Sequence, residues 1–109
     1  MYTFLSIQQL QTDLKSGQVN ASELVKDIIS EIKRKAHLNA FLEIFEVSAF
    51  QQAKLVDEKI ASGAPLGKLA GLIVGLKDNI CYKDHKVSAS SKILEGFESL
   101  YSATVVEKL

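Results

Sequence analysis

Apolar positions along the first third of the chain recur at helical spacing and are punctuated by capping residues. Ser6-Ile-Gln-Gln9 has the capping-box pattern, Leu5 and Leu10 stand where a hydrophobic staple would form, and Leu10 and Leu14 share a face that Gly17 closes. A second box, Asn20-Ala-Ser-Glu23, precedes a stronger stripe in which Leu24, Ile28 and Ile32 are joined by Val25 and Ile29, with Val19 and Leu24 as its staple. Lys33-Arg34-Lys35 falls in the last turn of that predicted helix. Positive charge favours the helix dipole there, so the cluster reads as a helix end and not as a recognition patch.

Beyond residue 37 the pattern changes. Leu38-Asn-Ala-Phe-Leu-Glu-Ile-Phe45 is rich in aromatic and branched residues and predicts a strand. Ser48-Ala-Phe-Gln51 opens a third predicted helix, with Phe50, Ala53, Val56 and Ile60 on its apolar side and Gly63 and Pro65 as its stop. Residues 70–76 are apolar apart from Gly71 and Gly75, and the run breaks abruptly into Lys77-Asp78-Asn79. Short apolar runs bounded by turn formers suit a buried strand of a parallel sheet, whose carboxyl end faces a cleft. Helix, helix, strand, helix, strand is the order of an α/β architecture.

The remainder is polar and small. Cys81 to Lys86 is turn-like, Val87-Ser-Ala-Ser-Ser91 lacks bulk, and Ser91 is placed to cap a short helix that Gly96 ends. A last helix is predicted from Ser102, with Tyr101 and Val106 as its staple. It carries no C-terminal cap, which leads us to expect a longer protein.

A composition of 47% hydrophobic and 24% charged residues over 109 positions is that of one small globular segment. Thirteen basic residues balance thirteen acidic ones, which gives no electrostatic reason to expect nucleic acid or a membrane as a partner of this part. Cys81 is the single cysteine, and His37 and His85 show no metal-ligand spacing, so no metal or other cofactor is expected on this chain. With no basic-then-apolar leader and no apolar run of membrane length, the expected location is the cytoplasm.

Lys77 is the candidate for chemistry. An amine at the mouth of an apolar strand can be desolvated, accept a proton and activate a hydroxyl, as in serine–lysine catalytic pairs. The competing role is a lysine reaching solvent or pairing with Asp78. Gly71, Gly75 and Lys77 do not meet the phosphate-loop spacing, because Leu76 intervenes and Asp78 follows the lysine. Asp78 and Asn79 suit a turn, with contact to a polar substrate as the alternative. Ser88, Ser90 and Ser91 are hydroxyls that could line a cleft or act as local caps. Cys81 has no aligned base evident from the sequence.

Leu69-Ala-Gly-Leu-Ile-Val-Gly-Leu-Lys-Asp-Asn-Ile-Cys81, followed by Ser91-Lys-Ile-Leu-Glu95 and Ala103-Thr-Val-Val-Glu107, closely resembles the amino-terminal part of the amidase signature family. The likeness extends to Asn20-Ala-Ser-Glu-Leu-Val25 and Leu38-Asn-Ala-Phe41, and is strongest to the glutaminase subunits of tRNA-dependent amidotransferases. It implies that residues 1–109 are the amino-terminal part of a single larger amidase domain, without an internal domain boundary. Helices would pack around the first strands of a larger mixed sheet. It also implies a nucleophilic serine, a second serine and a proton-relaying lysine, the last falling on Lys77. Val87-Ser88-Ala89-Ser90 stands where the family usually has Thr-Thr-Cys-Ala, a departure at lining positions. Both family serines belong to a region farther along, so Ser88, Ser90 and Ser91 do not take their roles. The implied reaction is glutamine hydrolysis through an acyl-serine. Ammonia would then pass to partner subunits that bind Glu-tRNA(Gln), ATP and Mg. By this resemblance the isolated 109 residues would be inactive. Another amide hydrolase of the family, or a non-catalytic interaction module, are the alternatives.

Overall fold

A computed structural model describes residues 1–109, which form two compact units, Met1–Ile73 and Val74–Leu109. The first unit holds three helices: α1 (Ile7–Ser16), α2 (Ala21–Arg34) and α3 (Glu46–Ala61). The apolar stripes read from the sequence meet in its core, where Leu10, Leu14, Val19, Ala21, Leu24, Val25, Ile29 and Ala53 are buried and Phe50, Val56 and Ile60 pack against them.

Each helix end has a local cause. Ser6 Oγ accepts the Gln9 N–H at 3.1 Å, while Gln9 Oε1 reaches past Ser6 to the Leu5 N–H at 3.0 Å. The staple expected of Leu5 is absent: its side chain is 98% exposed whereas Leu10 is fully buried. Gly17, at φ 76°, closes α1 as the Gln18 N–H returns to the Asp13 carbonyl at 3.0 Å, the Schellman arrangement. α3 starts at Glu46, two residues before the Ser48 cap expected from the sequence; Ser48 Oγ instead donates to the Phe45 carbonyl at 3.3 Å. Glu46 lies in the first turn, where the dipole favours a carboxylate, and pairs with Lys33 of α2 at 2.8 Å. Gly63 at φ 70° ends α3 as the Ala64 N–H reaches the Lys59 carbonyl at 2.9 Å.

The start of α2 is doubly capped. Asn20 Oδ1 accepts the Glu23 N–H at 2.8 Å, and Asp57, projecting from α3, accepts the Ala21 and Ser22 N–H groups at 2.7 and 3.0 Å and the Ser22 hydroxyl at 2.6 Å. The otherwise unpartnered donors of the first turn are thereby satisfied, and the helix is tied to its neighbour. Before α1, the Tyr2 hydroxyl donates to Asp13 Oδ2; that bond, with burial and the carboxylate's charge, pushes the phenol pKa up to about 12.

The expected strands do not form, and the α/β reading is corrected to a helical segment with irregular connections. At the first of them, Ala36–Leu38 makes a 3₁₀ turn and Asn39 takes a left-handed φ of 51°, so an extended run cannot start. At the second, the amides of residues 73–77 enter no backbone hydrogen bond. A strand is stable only when a ladder satisfies its N–H and C=O groups, and nothing in this chain supplies the neighbour. The sole β pairing is an isolated antiparallel bridge between Lys86 and Glu98.

Around that bridge the second unit is organised. Asp84 N–H to Ser99 O (2.9 Å), Ser99 N–H to His85 O (3.0 Å) and Val87 N–H to Phe97 O (3.1 Å) zip two short segments together over Val87 and the buried Ser99. A 3₁₀ turn spans Lys92–Leu94 without the side-chain cap expected of Ser91, and Gly96 follows at φ 77°. α4 (Thr104–Glu107) begins after Ala103, and the expected staple residue Tyr101 is 63% exposed. No helix is long and apolar enough to cross a membrane.

Candidate functional site

All the sequence-derived site residues fall in the second unit, on two loops. Lys77 opens a tight turn closed by the Ile80 N–H to the Lys77 carbonyl at 2.9 Å, with Asp78 and Asn79 at its centre. Ser88 and Ser90 lie on a second turn, closed by the Ser91 N–H to the Ser88 carbonyl at 2.8 Å. Its central residues, Ala89 at φ 48° and Ser90 at φ 60°, are both left-handed, as in type I′ turns. Neither is glycine, and the left-handed region costs a residue with a Cβ roughly 1–2 kcal/mol.

Asp78 joins the two turns. Its Oδ1 accepts the Ser88 N–H at 3.1 Å, its Oδ2 accepts the Ser88 hydroxyl, and its carbonyl accepts the Ala89 N–H at 2.8 Å. The Ser88 hydroxyl and then the Ser88 amide, with smaller help from the Ser90 and Ala89 amides, hold the Asp78 carboxyl below the usual carboxylate range. Both oxygens are thus engaged by donors, and Asp78 forms no ion pair with Lys77. The lysine is exposed and enters none of the chain's salt bridges. Asn79 is also exposed, and Ser90 acts on Asp78 through its backbone amide.

Three further groups lie near these turns, and their contacts carry no signal in the sequence. The Cys81 side chain, ahead of burial, pushes the Tyr101 phenol above its ordinary pKa. The Cys81 carbonyl accepts the Ala103 N–H at 2.8 Å, and Ser102 Oγ accepts the Lys83 N–H at 3.0 Å, so the approach to α4 is stitched to the loop after Asn79. His85 stacks on Tyr82 with ring centroids 4.0 Å apart, and its Nδ1 lies 2.7 Å from the Lys83 carbonyl, which assigns the proton to Nδ1. No group of three or more His, Cys, Asp or Glu side chains is gathered as a metal would require.

The lysine-bearing turn sits within a recognisable stretch: a family profile described as Amidase matches residues 23–109. The chain belongs to the amidase family. Among curated relatives of this amidase-family chain, a glutamyl-tRNA(Gln) amidotransferase subunit of Brachyspira hyodysenteriae is 43% identical over 109 residues, covering 96% of this chain and 22% of the relative. The corresponding protein of Natranaerobius thermophilus is 39% identical over 96% of this chain and 22% of its own length. The mitochondrial counterpart of Xenopus laevis is 37% identical over 96% of this chain and 20% of its own length. The amidase-family chain therefore spans about a fifth of the curated relatives it matches.

Proposed function

We propose that this segment is the amino-terminal part of a single larger amidase domain, in a subunit that hydrolyses glutamine for a glutamyl-tRNA(Gln) amidotransferase. Lys77 is its proton-relaying lysine. The names carried by relatives that align with nearly the whole chain support the assignment of the parent enzyme. The observation that carries the role of Lys77 is the commitment of Asp78 to Ser88, which leaves the adjacent amine unpaired and accessible.

In this reading Lys77 takes a proton, by way of one serine, from a second serine that attacks the glutamine amide, and returns it as ammonia leaves. Both serines lie outside the segment, so the 109 residues alone do not release ammonia from glutamine. Ammonia passes to partner subunits, which hold ATP, Mg and Glu-tRNA(Gln). The balanced charge of this chain agrees with a tRNA site located elsewhere.

The test is glutamine turnover by the assembled enzyme carrying Lys77→Ala. Loss of a group that acts only in the transition state lowers kcat with little change in KM, here by about 1000-fold or more. Unchanged turnover would overturn the role of Lys77. Turnover of simple amides with no response to Glu-tRNA(Gln) and the partner subunits would place the parent among other amide hydrolases of the family.

A further inference from the structure

We infer that Asp78 is a positioning residue for this reaction, tying the turn that carries Lys77 to the strained turn at residues 88–91; the inference rests on the role proposed for Lys77. The geometry is specific. Asp78 is a central residue of the turn that the Lys77 carbonyl closes, and three of its acceptors, Oδ1, Oδ2 and the carbonyl, are occupied by Ser88 N–H, Ser88 Oγ and Ala89 N–H. A carboxylate so engaged has no oxygen held ready for a substrate proton, which separates Asp78 from the role of a general base. Its attachment instead fixes the backbone from which the Lys77 side chain departs.

The second turn needs such an anchor. Ala89 and Ser90 occupy left-handed backbone without being glycine, a state that persists only where surrounding bonds hold it. Removing the carboxylate frees Ser88 and lets both residues relax, and the lysine-bearing turn loses its fixed neighbour. A catalytic group displaced by about an ångström loses on the order of 100-fold in rate.

The experiment uses the assembled amidotransferase and compares kcat and KM for glutamine across two sets of variants. Ser88→Ala, which removes one bond, should lower kcat about tenfold, and Asp78→Ala about 100-fold, each with KM within about twofold. Ser88→Thr, which keeps the hydroxyl, should recover most of the Ser88→Ala loss. Placing Ala89→Gly and Ser90→Gly in the Asp78→Ala background removes the steric objection to the left-handed turn and should restore kcat at least tenfold. Failure of that rescue would mean that the carboxylate's charge acts directly, and a raised KM with retained kcat would assign Asp78 to substrate binding; either overturns the inference. If Asp78→Ala does not assemble, the Ser88→Ala and Ser88→Thr pair decides: equal, unimpaired kcat in both overturns it. Full activity of Asp78→Ala alongside an inactive Lys77→Ala defeats the positioning role alone. Full activity of Lys77→Ala defeats the reading on which it rests.

Discussion

Asp57 on α3 caps α2 through Ser22, accepting its N–H at 3.0 Å and its hydroxyl at 2.6 Å on one carboxylate oxygen while the other accepts the Ala21 N–H at 2.7 Å. Side-chain capping of a helix start contributes about 1 kcal/mol from within the helix's own sequence. Asp57 adds a cap from a different helix, so its loss both exposes first-turn donors and unlinks α2 from α3. Asp57→Ala should therefore cost about 2 kcal/mol, against about 1 kcal/mol for Asn20→Ala. Urea midpoints at unchanged slope report the difference directly. Equal midpoints for Asp57→Ala and the unaltered protein would contradict the capping role.

Gly71 and Gly75 flank the same apolar run but should respond unequally to alanine. Gly71 stands at φ 85°, and a Cβ there would overlap Leu14 Cδ1, whose side chain is 2% exposed and packed in the core. Left-handed strain of about 1–2 kcal/mol and overpacking of about 1–3 kcal/mol put Gly71→Ala at about 2–5 kcal/mol of destabilisation. Gly75 meets nothing within 4 Å and has no positive φ, so Gly75→Ala should stay within about 0.5 kcal/mol. Thermal melts of the two variants side by side check this, and equal melting temperatures would refute it.

Those two residues also show what a sequence can and cannot convey. The glycine pair was visible, yet only the path of the backbone over Leu14 separates a required glycine from a replaceable one. The span of α2 was legible, because the Asn20 cap, the buried Val19 and Leu24 at its start and its apolar stripe are local signals that agree. Its second cap was not, since Asp57 lies 36 residues from Ala21 and no local pattern pairs them. The strands expected at residues 38–45 and 70–76 failed for the same reason in reverse. Apolar composition marks a segment that can join a sheet, while a strand exists only when another segment completes its ladder. Beside Lys77, the turn at Asp78 and Asn79 was legible from residue type, and the Ile80 N–H closes it on the Lys77 carbonyl. The Asp78–Ser88 link, spanning ten residues, was not, because serines in a small-residue run carry no signal of which carboxylate they meet.

That link gives a pH dependence with a definite sign. The Ser88 hydroxyl and amide stabilise the charged form of Asp78, so its pKa in the folded chain lies below the ordinary value of 3.8. The unfolded chain consequently binds the proton more readily than the folded one. The link's contribution to stability is complete well above pH 3.8 and is lost as pH falls through the lower folded value. Carbon-13 NMR of the Asp78 carboxyl should show a titration midpoint below 3.8 in the unaltered protein. Ser88→Ala, which deletes the largest cause of the depression, should move the midpoint up towards 3.8 and weaken the protein's hold on residues 88–91 at every pH where the carboxylate is charged. A midpoint at or above 3.8 in the unaltered protein would show that the carboxylate is not held by Ser88 in solution, and would remove the structural basis for Asp78 as the anchor of the lysine-bearing turn.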